Sequence, residues 1–173
     1  MLRRAWVERE FVLTGLPPWM LPNVIERLRG TPARVEELTR GLPPDLLTRR
    51  EGSRWSIQEQ VGHLHDLGWL DLSRFEDFSN ARETLTAADM QNRKTHEANH
   101  NARPFAELLA DFRRERTEFV RRLETLDDET AARTALHPRL KQTMSVADFA
   151  FFVAEHDDHH VAAISELIRK FKR

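Results

Sequence analysis

In the stretch Glu155-His156-Asp157-Asp158-His159-His160, two imidazoles stand four residues apart, at His156 and His160. On an α-helix that separation stacks side chains one above the other on a single face. Two neutral imidazoles placed this way can hold one divalent cation together. Val146, Phe149, Val153, Ile164, Leu167 and Phe171 follow the same three-and-four spacing around them, so the pair is expected to point inward. An inward imidazole needs a partner, because burying an unpaired polar group is costly. His159 falls off this stripe and is expected at the rim or in solvent. Asp157 and Arg116 are the charged residues that fall on core faces. They are expected to pair with each other, or Asp157 to orient a metal ligand or act as general base.

A metal site normally takes at least three protein ligands. The chain has eight histidines, no cysteine and no tyrosine, so any cation must rest on nitrogen and oxygen. His63 and His65 lie on opposite flanks of one predicted helix face. Periodicity alone does not choose between them as the third ligand. His65, His96, His100 and His137 are further candidates for a pocket mouth, although each reads more readily as an ordinary surface histidine. The His-Glu-x-x-His pattern of zinc proteases is a poor fit. Asp157 stands where its glutamate would be, and the 13 residues after His160 include no further histidine.

Four long amphipathic segments must carry these side chains. The first spans about 19–41, with Val24, Ile25, Leu28, Val35 and Leu38 as its stripe. Pro32 either kinks it or begins a second helix with Thr31 as cap. The second runs from Trp55-Ser56 to about Asn80, with Ser56 and Glu59 spaced as a capping box. Trp55 and Trp69 are expected to pack. Residues 81–103 are polar and poorly periodic, a long connection of the kind that tends to be functional. The third segment runs from Pro104 to about Leu126, with Arg116 on its apolar face. Asp127-Asp128-Glu129 suits the start of a short helix that ends before His137-Pro138. The fourth begins at Ser145, three residues before Asp148, and reaches about Lys172. With no convincing strand system, the fold class expected is all-α, a four-helix bundle. An N-terminal arm covers 1–18, in which Phe11-Val12-Leu13 could be a short extended piece. The bundle domain covers 19–173.

At 173 residues the chain is long enough for one domain with a real core. Its 27 basic and 28 acidic residues leave a net charge of −1, without the basic excess of a nucleic-acid protein. Runs such as Arg113-Arg114-Glu115-Arg116 read as solvated helix faces. No segment has the roughly 20 apolar residues of a membrane span, and the charged start Met1-Leu2-Arg3-Arg4 does not read as a signal peptide. A soluble cytoplasmic protein is expected.

Trp55-Ser56-x-x-Glu59-x-x-x-His63-Leu64, followed by Met144-Ser145-x-x-Asp148 and His156-Asp157-x-His159-His160, resembles the DinB/YfiT superfamily. Leu28-Arg29-Gly30-Thr31-Pro32-Ala33-Arg34 and His137-Pro138 are also similar to it, so the resemblance covers about residues 20–170. It implies up-down-down-up connectivity and a three-histidine metal site with His63, His156 and His160 as ligands. It implies nickel or zinc as the divalent ion, and a homodimer. It further implies a metal-dependent transferase using a low-molecular-weight thiol, or a hydrolase, acting on a small molecule. The alternative is a non-catalytic stress-response or binding module with a structural metal. Val161-Ala162-Ala163 stands where relatives often carry glutamine or glycine, which bears on the substrate.

Overall fold

The computed structural model describes residues 4–13 and 15–172. Met1–Arg3, Thr14 and Arg173 fall outside them, and with them parts of the expected arm and the last residue of the expected bundle domain. The arm contains two short 3-10 turns, Trp6–Glu8 and Pro18–Met20. Phe11-Val12-Leu13 joins no sheet. Instead the Gln142 amide donates to the Phe11 carbonyl at 2.7 Å and accepts from the Leu13 N–H at 3.2 Å. The arm is docked onto the last helix as well, through Arg9 on Glu155 at 2.6 Å and the Leu16 amide on Asp148 at 2.7 Å.

Helix α1 (Leu21–Thr39) is continuous, with Pro32 inside it and Thr31 not a cap. Side chains take up the turn that proline loosens. The Arg27 carbonyl accepts from the Thr31 hydroxyl at 3.3 Å and from Arg34 at 3.4 Å. Gly41, at φ +70°, supplies the left-handed turn that ends the helix region. After the short α2 (Pro44–Thr48), the predicted second helix is two, α3 (Ile57–Asp66) and α4 (Gly68–Ser79), broken at Leu67. Gly68 weakens helical propensity there. Its missing side chain also leaves room for Glu115, one of whose oxygens would lie 2.5 Å from an added Cβ.

The long connection holds α5 (Arg93–Glu97) and a 3-10 turn at His100–Ala102. Then come α6 (Phe105–Glu124), with Pro104 one position before it, and the short α7 (Asp128–Ala131). A hairpin of β1 (Thr134–Leu136) and β2 (Thr143–Ser145) follows, paired antiparallel with Ala135 opposite Met144. These two three-residue strands were not expected; they are too short to show a period of two. Helix α8 (Val146–Phe171) starts directly from β2. Ser56 and Ser145 both close reciprocal capping boxes, with Glu59 and Asp148.

Two apolar clusters fix the bundle. Val24, Ile25 and Leu28 of α1 meet Phe75 and Phe78 of α4, Phe119 and Leu123 of α6, and Phe149 and Val153 of α8. Val35 of α1 meets Ile57, Val61 and Leu64 of α3, Leu108 and Phe112 of α6, and Ile164 and Leu167 of α8. The start of α1 thus lies beside the start of α8 and the ends of α4 and α6. Helices α1 and α8 run one way, α3–α4 and α6 the other, which is the up-down-down-up order. No described helix is long and apolar enough to cross a membrane.

Gly62 shows how tightly the connection packs on α3. A Cβ there would stand 2.3 Å from the ring of His100, which is 2% exposed and cannot swing away. Gly62→Ala is expected to cost about 1–3 kcal/mol, read as a lowered denaturation midpoint at unchanged slope.

Candidate metal centre

Helix α3 contributes His63, and α8 contributes His156 and His160 one turn apart. Their rings converge. Centroid separations are 5.3 Å for His63–His156, 4.8 Å for His63–His160 and 4.5 Å for His156–His160. One nitrogen from each ring falls within 4.8 Å of the others. The Nε2 atoms of His156 and His160 are 3.1 Å apart. Two nitrogens each about 2.0–2.1 Å from one cation stand about 2.9–3.4 Å apart, according to the coordination angle, so the α8 pair already has the separation that a shared ion requires. His65, on the other flank of α3, points elsewhere and bonds Glu115 through Nδ1 at 2.8 Å.

The outer nitrogens of His160 and His63 are tied down so that their inner ones keep lone pairs. Nδ1 of His160 donates to Gln60 Oε1 at 2.6 Å, which puts its proton away from the centre. Nδ1 of His63 lies 3.0 Å from the Thr95 hydroxyl. That hydroxyl also bonds the Asp66 carboxylate, which takes a further bond from His100 Nε2 at 2.7 Å. Burial disfavours the Asp66 charge, but bonds from His100 and Thr95 and the charge of Lys94 outweigh it and hold its pKa below the ordinary value. A hydroxyl that donates to a carboxylate is left to accept from His63, so Asp66 fixes the His63 tautomer through Thr95. Loss of solvation lowers His63 to about 4. It also takes His156 well below the usual imidazole value, helped by the neighbouring His63 and His159. His63 and His156 are thus neutral at physiological pH, the state in which imidazole binds metal. The donor set, its spacing and its outer partners all fit a divalent ion.

The centre opens onto a cavity of about 720 Å³, within the range of small-molecule sites. Trp55 packs against His63 at 4.7 Å and Trp6 against His156 at 4.9 Å, so two indoles flank the rings. Trp55 is therefore a wall of the cavity as well as a packing residue, whereas Trp69 is 47% exposed. His96 and His137 also line the cavity. His159 is not in solvent: it is 8% exposed and lines the same space. The arm covers the face that helical spacing assigns to water, laying Trp6 5.7 Å from the His159 ring. Asp157 is fully buried on a different side of α8, where its Oδ1 accepts from Arg116 at 2.8 Å. It is not among the cavity's lining residues.

Sequence reasoning missed Gln60, Thr95 and Trp6. Gln60 had a signal, since it precedes His63 by three residues and shares its helix face. Gln60→Leu should keep the shape of α3 and weaken divalent metal binding about 10–100-fold, measured by competition with a chromogenic chelator.

Such a bundle, with three imidazoles from its second and last long helical segments facing a cavity, defines a class. The chain belongs to the DinB superfamily, whose sequence model matches residues 27–164. A solved structure similar to it is that of YfiT from Bacillus subtilis, 19% identical, with a TM-score of 0.80 and an overlap covering 94% of each chain. That likeness is one of fold. YfiT is described as a probable metal-dependent hydrolase with an unusual four-helix bundle topology. Among curated protein sequences, none matches this chain.

Proposed function

We propose that this protein is a metal-dependent enzyme acting on a small molecule, with one divalent ion, nickel or zinc, held by His63, His156 and His160. The carrying observation is that three imidazoles converge on a cavity, and the cluster includes no fourth histidine, cysteine or carboxylate among the described residues. A closed structural site would use four protein ligands, whereas three leave a position for water or substrate. When bound, the ion would supply Lewis acidity and lower the pKa of a coordinated water or thiol to near neutrality. The chain has no cysteine, so any thiol would belong to a small cosubstrate.

In this reading the protein's own groups have separate tasks. Gln60 and the Thr95–Asp66 pair hold two rings in the ligating tautomer. Trp6, Trp55 and Phe152 wall the cavity with apolar surface and exclude bulk water, which strengthens electrostatic interactions inside. Arg116 keeps Asp157 engaged away from the rings, and that pair anchors α8 to α6. The likeness to YfiT favours hydrolysis, and thiol transfer is the second outcome.

The test is to screen the metal-loaded chain with activated esters and amides, and with a small thiol plus an electrophile. Turnover should vanish on chelation and return on adding the ion back. If chelation collapses the melting temperature while no small molecule is turned over or bound, the metal is structural and the enzyme reading fails.

A further inference from the structure

One corner of the cavity presents hydrogen-bond donors with nothing to receive them. His137 is 2% exposed, and its Nδ1 accepts from the backbone amides of Arg139 and Leu140, both at 3.2 Å. An accepting nitrogen carries no proton, so the proton is on Nε2. That Nε2–H is buried without a partner. Burial, then the charges of Arg74 and Arg139, push His137 down to about 3, and the ring stays a neutral donor. Nη2 of Arg139 is likewise buried and unpartnered. Among the described residues no carboxylate pairs with Arg139, and burial lowers its pKa. Arg74, 4% exposed, spends its Nε–H on the Thr86 carbonyl at 2.9 Å.

Arg139 stands apart from the ion pairs of this region. Asp71 and Asp157 are both bonded by the single Arg116. Asp77, which also attracts Arg74, is shared with Arg82 at 3.4 Å. Asp71 and Asp77 thus attract Arg74, and Asp71 and Asp157 hold Arg116, whereas Arg139 forms no ion pair among the described residues. Buried unpaired donors are rare, and a half-buried cation without a carboxylate partner favours an incoming anion. The group that answers both is negative and offers only acceptors: a carboxylate, phosphate or sulfonate. The Phe152 ring joins this corner to the histidines. His137 lies 5.1 Å from it, Arg139 5.9 Å and Trp6 5.1 Å, and Trp6 in turn packs on His156.

We propose that His137, Arg139 and Arg74 form an anion subsite, so that the molecule entering the cavity carries a carboxylate, phosphate or sulfonate seated there, with its reacting end toward His156. The placement of the reacting end rests on the catalytic reading above; capture of the anion does not.

The test is calorimetric titration of the full chain, metal-loaded and chelator-treated, with phenylacetate, phenylacetamide and inorganic phosphate. Phenylacetate should bind about tenfold or more tighter than the amide in both forms. Arg139→Gln should lose about tenfold, and Arg139→Lys should keep most of the affinity. His137→Phe, which keeps the ring packed on Phe152, carries the same expectation should Arg139→Gln not fold. Equal affinity for acid and amide, no saturable anion binding below about 10 mM, or unchanged binding in these variants overturns the subsite. Anion binding seen only with metal present overturns it too, since the anion would then sit on the ion. An intact subsite in a chain that takes up no metal refutes the catalytic reading alone.

Discussion

His160→Ala is expected to abolish stoichiometric metal binding and any turnover while leaving the bundle folded. His160 is bonded to Gln60 through Nδ1, and its Nε2 lies 3.1 Å from that of His156, so its loss removes a ligand and half of the pair that would share the ion. A partner that merely orients a ligand is worth about 10–100-fold in affinity, and a ligand itself must cost more. Metal present at about 1,000 times its dissociation constant stabilises a folded chain by about 4 kcal/mol. Thermal melts with and without added ion should therefore separate for the parent and coincide for the variant. In chelator the two proteins should melt close together, because the truncated ring borders an existing cavity instead of opening a new void. A variant that still binds one ion with parental affinity would remove His160 from the centre.

Arg116→Met should be the most damaging single change away from the histidines. The guanidinium is 3% exposed and bonds Asp71 at 3.0 Å and Asp157 at 2.8 Å. Burial raises the pKa of both carboxylates, Asp157 to about 6, with the charge of Arg116 opposing the rise. Methionine would leave two carboxyl groups in the core without their cation, which costs about 3–5 kcal/mol when a buried pair is broken. Urea denaturation should show that loss at near-constant slope. A change below about 1 kcal/mol would mean that water reaches these carboxylates.

The parts legible in the sequence were those set by local periodicity and caps. The stripes on α1, α6 and α8 named most of the two apolar clusters, and Ser56-x-x-Glu59 and Ser145-x-x-Asp148 marked two helix starts to the residue. The Arg116–Asp157 pair followed from two charges on apolar faces, since neither could be buried alone. What stayed hidden depends on contacts distant in sequence. Pro32 reads as a break, but packing on α8 keeps α1 whole, and side chains take over the loosened turn. The kink at Leu67 needs Glu115, 47 positions past Gly68, to explain why glycine is there. His159 is expected at the rim or in solvent, because helical spacing cannot anticipate an arm that folds Trp6 over that face and buries it. Thr95 lies in an aperiodic connection, where nothing local marks it as the residue that orients His63. Periodicity left His63 and His65 open; only the resemblance pointed to His63, and the rings of His63, His156 and His160 do converge.

The most direct measurement is X-ray absorption on the purified chain loaded with one equivalent of zinc or nickel. Three imidazole nitrogens at about 2.0–2.1 Å plus one or more light-atom positions, reduced to two imidazoles in His63→Ala, is the expected result. A full set of protein ligands with no exchangeable position, or failure to retain one equivalent of either metal, would contradict an open three-histidine centre.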